Sequence, residues 1–347
     1  MTYVAEEPMT TDRARQGWLP PAVEAVRLEQ ASSDAVVRYL VHSVPENSIH
    51  ICHGLRANGR IAVAQRALTQ RGLEQWLVME TVDNTGWLGI AKRLEYARLF
   101  KRWRDILSGV LAIGHRTHGL VTARGMPVSK VYPFTYSLSQ PDGVRSASLR
   151  SEGRFRFIYV GQLVRIKRVD LLLRALAALD RQDIELNVLG SGPLNEQLKA
   201  MARDLMPGRF HLLGVLPHDK VSAAIARADC LVLPSRYDCW GVVVSEALLV
   251  GTPAICSDAC GSAGVVRASG VGCVISSGSQ SEVESSAGTD GEGGSFSASA
   301  PKPGGEFCLM SGATSRCPIS STGPVALRRR CAKATSILGT AQLCGAA

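Results

Sequence analysis

Apolar positions along this chain come in short strand-like runs separated by stretches with helical spacing. Over the first 140 residues the runs are 2–6, 23–29, 48–54, 75–82, 109–115 and 130–136, and helical patterns lie at 33–43, 60–72 and 90–107. The alternation restarts at 155–161, with further strand candidates at 184–190, 209–214, 230–235, 253–258 and 272–276. Helical patterns between them fall at 168–179, 194–203, 218–227 and 242–250. Strand and helix in alternation predict an α/β fold built from parallel sheets with helices on both faces. The polar, turn-rich run at 137–153 marks the break between two such units. The expected organisation is therefore 1–140, a linker at 141–153, 154–278, and a remainder at 279–347.

That remainder is different in kind. It is rich in Ser and Gly, loses apolar periodicity, and has Phe296 and Phe307 as its only aromatics. Such a composition buries too little surface to offset chain entropy. It reads either as an irregular, disordered tail or as a shifted reading frame, and the sequence leaves both open.

The length of 347 residues suits about two domains. A net charge of +9 favours anionic partners such as phosphates or an anionic membrane surface. No apolar run reaches the length of a spanning helix. The first residues lack the basic and apolar regions of a signal peptide, so a cytoplasmic protein is expected. Of ten cysteines, Cys52, Cys230, Cys256 and Cys273 sit inside strand-like runs and read as reduced thiols. Cys256 and Cys260 have no CxxC pair beside them, so no metal site is expected.

Candidate chemistry concentrates in SRYDCWGVVVSEALLVGTP, residues 235–253. Asp238 stands just before an aromatic–glycine pair, and Glu246 follows in an apolar run. Buried carboxylates are costly unless compensated. Parallel sheets bind ligands beyond the carboxyl ends of their strands. The segments expected there are GQLVRIKR (161–168), GSGP (190–193) and this stretch, which leads into a helix. A helix N-terminus suits a phosphate, Gly241 admits close backbone approach, and Lys167 adds a full charge. Glu246, about one turn into the helix, leans back toward the same terminus. The two acids would then face uncharged ends of a ligand with phosphates at its centre. A nucleotide-diphosphate sugar has that layout.

From about Phe155 to Gly278 the chain closely resembles the retaining glycosyltransferases of family 4. The resemblance runs through VGQLVRIKRVDLLLRAL, VLGSGP, FHLLGVLPHDKV, ADCLVLPSRYDCWGVVVSEALLVGTPAICSD and GVGCVI. It implies the GT-B fold, two Rossmann-like doubly wound domains facing a cleft. The family's donor-sugar acid, usually Glu, falls on Asp238, and its ribose-binding Glu falls on Glu246. Backbone amides of Cys239, Trp240, Gly241 and Val242 would hold the diphosphate and sugar. The family's phosphate-binding Arg and Lys fall on Gln162 and Lys167. Gln162 carries no charge, and Arg165 or Arg168 is expected to compensate. Gly161, Gly190 and Gly192 complete the expected donor site.

The first unit matches the family's acceptor lobe less clearly. The loop after its first strand, EEPMTTDRARQGW, lacks a Gly-Gly pair. Glu6, Glu7, His53, Glu80, Asp83 and His115 stand at its strand ends, and Glu80 is the candidate that closes on the cleft. The helix at 91–107 combines an apolar face with six basic residues. It reads as a core-facing helix with a solvated basic side, or as a surface for an anionic membrane carrying a lipid-linked acceptor.

The resemblance implies transfer of a sugar, with retention, from a nucleotide-diphosphate-sugar donor to a saccharide or lipid-linked acceptor. Asp238, Lys167 and Glu80 would be the residues at the reacting centre. No cofactor or metal is required, since cationic side chains and a helix N-terminus can stabilise the leaving diphosphate. The alternative is a non-catalytic nucleotide-sugar or polyanion binder on the same fold. Dispersed basic residues without a stacking platform argue against nucleic acid.

Overall fold

The computed structural model describes residues 1–6, 25–56, 59–83, 86–138 and 153–277. The loop expected at 6–18 beyond Glu6, most of the linker and the whole of 279–347 lie outside the described residues.

Strand β1 (Thr2–Ala5) pairs in parallel with β2 (Arg27–Gln30). Helix α1 (Asp34–Ser43) follows, its first turn capped by Ser33, whose hydroxyl accepts from the Val36 N–H at 3.3 Å. Val37 and Val41 of α1 pack toward Val63, Ala67 and Leu68 of α2 (Gly59–Gln70). Four further strands form one parallel sheet in chain order: β3 (Ile49–His53), β4 (Glu74–Glu80), β5 (Gly109–Ile113) and β6 (Val131–Phe134). Leu77, Met79, Val110 and Ala112 of this sheet share a core with Tyr96 and Phe100 of α3 (Gly86–Trp103) and Leu120 and Val121 of α4 (Thr117–Thr122).

Helix α3 begins and ends one turn earlier than the 90–107 expected from apolar spacing. Its last apolar residues, Ile106 and Leu107, belong instead to a turn in which the Leu107 N–H donates to the Trp103 carbonyl. The chain must reverse there, because β5 starts at Gly109.

The second sheet has six parallel strands in the order β12-β11-β10-β7-β8-β9. They are β7 (Phe155–Val160), β8 (Ile184–Leu189), β9 (Phe210–Gly214), β10 (Cys230–Leu233), β11 (Ala254–Ser257) and β12 (Gly272–Ile275). Helices α5 (Val169–Ala177), α6 (Asn195–Leu205), α7 (His218–Ala226), α8 (Val242–Leu249) and α9 (Ala263–Ser269) connect them. All four residues of β10 and of β11 are buried, which is why both read as unbroken apolar runs. Phe157, Tyr159, Leu172, Leu173 and Leu176 anchor one continuous core. Each such side chain contributes roughly 1.5–3 kcal/mol by leaving water.

Chain order reverses at β7. The chain steps outward through β8 and β9, then returns to place β10 on the other side of β7. The crevice beyond the carboxyl ends of β7 and β10 is where such sheets bind ligands, and it opens toward the first sheet. Helices α4 and α9 had no counterpart in the sequence reading. Six and seven residues are too few for apolar periodicity to declare itself.

Candidate active site

The turn from β10 to α8 is zipped to the loop after β11. The Asp238 N–H donates to the Ala259 carbonyl at 3.2 Å, the Gly261 N–H to the Asp238 carbonyl at 3.1 Å, and the Ser262 N–H to the Trp240 carbonyl at 2.8 Å. Only glycine fits at 261, because a Cβ there would lie 2.1 Å from the Cys239 carbonyl oxygen. Gly241 enters α8 with φ of 78°, the left-handed region that favours glycine. The N–H groups of Gly241, Val242 and Val243 have no acceptor among the described residues. These three residues line a cleft of about 440 Å³.

Lys167 ends a short 3-10 turn, Arg165–Lys167. Its Nζ lies 2.6 Å from Asp238 Oδ2, and the two side chains are 21% and 13% exposed. Glu246 also lines the cleft, and its Oε1 is 3.8 Å from Nε2 of His218, the first residue of α7. Burial pushes the Glu246 carboxyl above its usual range, and His218 only partly opposes this.

The first sheet supplies the opposite wall. Glu80, at the end of β4, accepts a hydrogen bond from the Tyr136 hydroxyl at 2.7 Å. The Tyr136 ring meets the Trp240 ring edge-on, with centroids 5.7 Å apart. Trp240 is 4% exposed, and its indole Nε1 has no partner among the described residues. The two halves touch closely beside the cleft. The His115 N–H donates to the Gly261 carbonyl at 3.1 Å, Arg116 pairs with Asp258 at 2.7 Å, and the Tyr237 hydroxyl donates to the Thr81 carbonyl.

Of the residues expected from sequence, Glu80, Gly161, Gln162, Lys167, Gly190, Asp238, Cys239, Trp240, Gly241, Val242 and Glu246 line this one cleft. Arg165 does not: it is exposed and not among the lining residues. Arg168 is likewise directed elsewhere, since its guanidinium donates to the Ser277 carbonyl at 2.8 Å. Gly192 also falls outside the lining. Its N–H is taken by Asn195 Oδ1 at 2.9 Å, and a Cβ would sit 2.5 Å from the Leu163 carbonyl oxygen. The N–H groups of Gly161 and Gly190 are already bonded to Leu189 and Gly214, continuing the strand ladder. A Cβ on Gly190 would lie 1.9 Å from the Gly161 oxygen, so these glycines bring two loops together rather than offering donors.

In the first half, Glu6 accepts from the Arg60 N–H at 2.8 Å, near the start of α2, and His115 bonds the other half, so neither serves the cleft. His53 is exposed at the end of β3 and outside the cleft lining; Glu7 lies outside the described residues. Sequence reasoning missed Tyr136, Val215, Leu216 and His218 as lining residues. His218 was within reach of the strand-end rule, because it opens the helix that follows β9. Tyr136 was not, since its place depends on how the two halves meet.

Two parallel α/β units facing a cleft define the GT-B arrangement, and solved structures share it. A glycosyltransferase from Rickettsia africae aligns with a TM-score of 0.59 at 10% identity, over 82% of this chain and 78% of that one. Anabaena Alr3699/HepE in complex with UDP aligns with 0.58 at 15% identity, over 75% and 74%. The lipopolysaccharide outer core galactosyltransferase WaaB aligns with 0.56 at 20% identity, over 74% and 73%.

Residues 143–286 match the glycosyl transferases group 1 family. Curated relatives include the alpha-D-kanosaminyltransferase of Streptomyces kanamyceticus, 27% identical over 163 residues, and the glycogen synthase of Mycobacterium tuberculosis, 35% identical over 128 residues. These matches take in 43% and 35% of this chain, and only 42% and 30% of those proteins.

Proposed function

We propose that the chain transfers a sugar, with retention, from a nucleotide-diphosphate-sugar donor to a saccharide or lipid-linked acceptor. The observation that carries this reading is the shared cleft. Asp238 and Glu246 line it together with three N–H groups that have no acceptor among the described residues, and the Lys167 ammonium is paired with Asp238. The N–H groups and Lys167 would hold the diphosphate, and their charge is worth most as the leaving group becomes more negative. Glu246 would accept from ribose hydroxyls, and Asp238 and Glu80 from those of the donor sugar. The acceptor would enter from the side of the first sheet, and a phosphate oxygen would take its proton. This scheme needs no metal or cofactor.

Membrane attachment on the cytoplasmic side belongs to the same proposal. Trp87, Leu88, Ile90 and Leu94 of α3 are exposed, as are Arg93, Arg98, Lys101 and Arg102. Exposed apolar residues beside exposed basic ones suit an anionic lipid surface.

A second reading has one specific support. Gln162 lines the cleft without a positive charge, and no other Lys or Arg than Lys167 is among the lining residues. A protein that binds the donor without turning it over would tolerate that. Titration with UDP, GDP, ADP and dTDP, then assay of hydrolysis or transfer from their sugar esters, tests both. Binding with turnover supports transfer, binding without turnover supports the second reading, and no binding by any of the four sinks both.

A further inference from the structure

Tyr136 stands just past the end of β6, where the chain leaves the first sheet. Its hydroxyl donates to Glu80 Oε1 at 2.7 Å, which fixes the carboxylate at the wall of the cleft. Burial first, and then the adjacent Glu80 carboxylate, hold the Tyr136 phenol above its usual range, so it remains a donor at neutral pH. Tyr136 is 38% exposed and lines the cleft, where its ring meets that of Trp240 from the other half edge-on. Trp240 Nε1 is buried without an acceptor among the described residues. An aromatic ring beside a fixed carboxylate is a set that recognises a sugar. The ring packs on its C–H face, and the polar groups take its hydroxyls. In the reading above Glu246 and the α8 N-terminus hold the nucleotide, and this set lines the same cleft.

We propose that Tyr136 is a positioning residue that orients Glu80 toward the sugar unit of the donor and, with Trp240, forms the wall of that sugar's subsite. The inference rests on the nucleotide-sugar reading above. A merely structural Tyr136 would affect every ligand alike, whereas this role acts through Glu80 and only on the sugar.

The test is calorimetric titration of full-length protein with UDP, GDP, ADP and dTDP and with their glucose esters. The readout is the ratio of Kd for the diphosphate to Kd for its ester. Tyr136→Phe keeps the ring and should lower that ratio roughly tenfold, the loss of one hydrogen bond to a charged group. Glu80→Ala should lower it further, and the double variant should equal Glu80→Ala alone, since Tyr136 then has nothing to orient. Diphosphate Kd should stay within about twofold throughout, a range expected for a site the change does not touch. Additive losses, or a diphosphate Kd that rises in step with the ester's, overturn the inference. Failure of the unmodified protein to bind any diphosphate overturns the donor-site reading itself, and this inference with it.

Discussion

Lys167 Nζ and Asp238 Oδ2, 71 positions apart in the chain, meet at 2.6 Å between the loop after β7 and the turn before α8. Neither side chain is more than 21% exposed, so each compensates the other's desolvation. Lys167→Met should therefore do two things. It should lower stability by about 3 kcal/mol, because Asp238 is left buried and unpaired. It should also weaken nucleoside diphosphate binding by at least roughly tenfold, the scale of one lost charge-assisted bond. Urea unfolding and calorimetry read the two effects, and an unchanged unfolding midpoint would show that the pair contributes nothing to the fold.

Glu246 gives a pH dependence with a definite sign. Burial raises its carboxyl above 4.5, so the folded chain binds this proton more readily than the unfolded chain. The Glu246 contribution to stability therefore increases as pH falls through the raised folded value toward 4.5. Nucleotide affinity should move the other way, since a protonated carboxyl accepts less well from ribose hydroxyls. Glu246→Gln should flatten both trends, as read by thermal melts and UDP titration across that window.

Gly261 is where three segments converge. Its N–H bonds Asp238, its carbonyl accepts from His115, and a Cβ would strike the Cys239 carbonyl at 2.1 Å. Gly261→Ala must displace the Cys239–Gly241 turn. A stability loss of about 2 kcal/mol is expected from overpacking, together with loss of diphosphate binding. A variant that melted normally and bound normally would mean that the turn can move without consequence.

The contact between halves should weaken in acid. Burial lowers the His115 pKa below 6.5, so the neutral ring is favoured in the fold. The stability this represents is present above 6.5 and is lost as pH falls from there through the folded value. Burial raises the neighbouring Asp258, but hydrogen bonds from Ser277 and the Arg116 charge outweigh it, leaving the carboxyl below 3.8. Its contribution persists to lower pH than that of His115. His115→Asn should shrink the fall in melting temperature between neutral and mildly acidic pH. It should leave part of it, because burial depresses His50 in the same direction.

Membrane docking through α3 predicts flotation with vesicles rich in anionic lipid at low salt, and release as salt screens the basic residues. Trp87→Ala together with Leu94→Ala should reduce flotation, while Lys101→Glu should weaken it at low salt and make it less dependent on salt. Equal flotation with neutral vesicles would count against the basic residues of the helix.

Most element types in both halves were legible from apolar periodicity, because a parallel strand buried on both faces leaves an unbroken run such as Cys230–Leu233. The cleft-lining residues of the second half were legible as well. Asp238, Gly241 and Glu246 lie on one turn and one helix, so their spacing in sequence is nearly their spacing in space. Arg165 and Gly192 failed because sequence proximity does not show which way a side chain leaves a turn, or whether an N–H is already bonded.

The sequence by itself determined two runs of alternating strand and helix and a phosphate-suited helix start, since both rest on contacts a few residues long. The tertiary structure alone decided that Lys167 is bound to Asp238, that Tyr136 and Glu80 face Trp240, and that Gly114 and His115 abut Gly261. These are pairings between segments tens to more than a hundred residues apart. The packing of two separately folded sheets against one another sets them, and local periodicity carries no record of it.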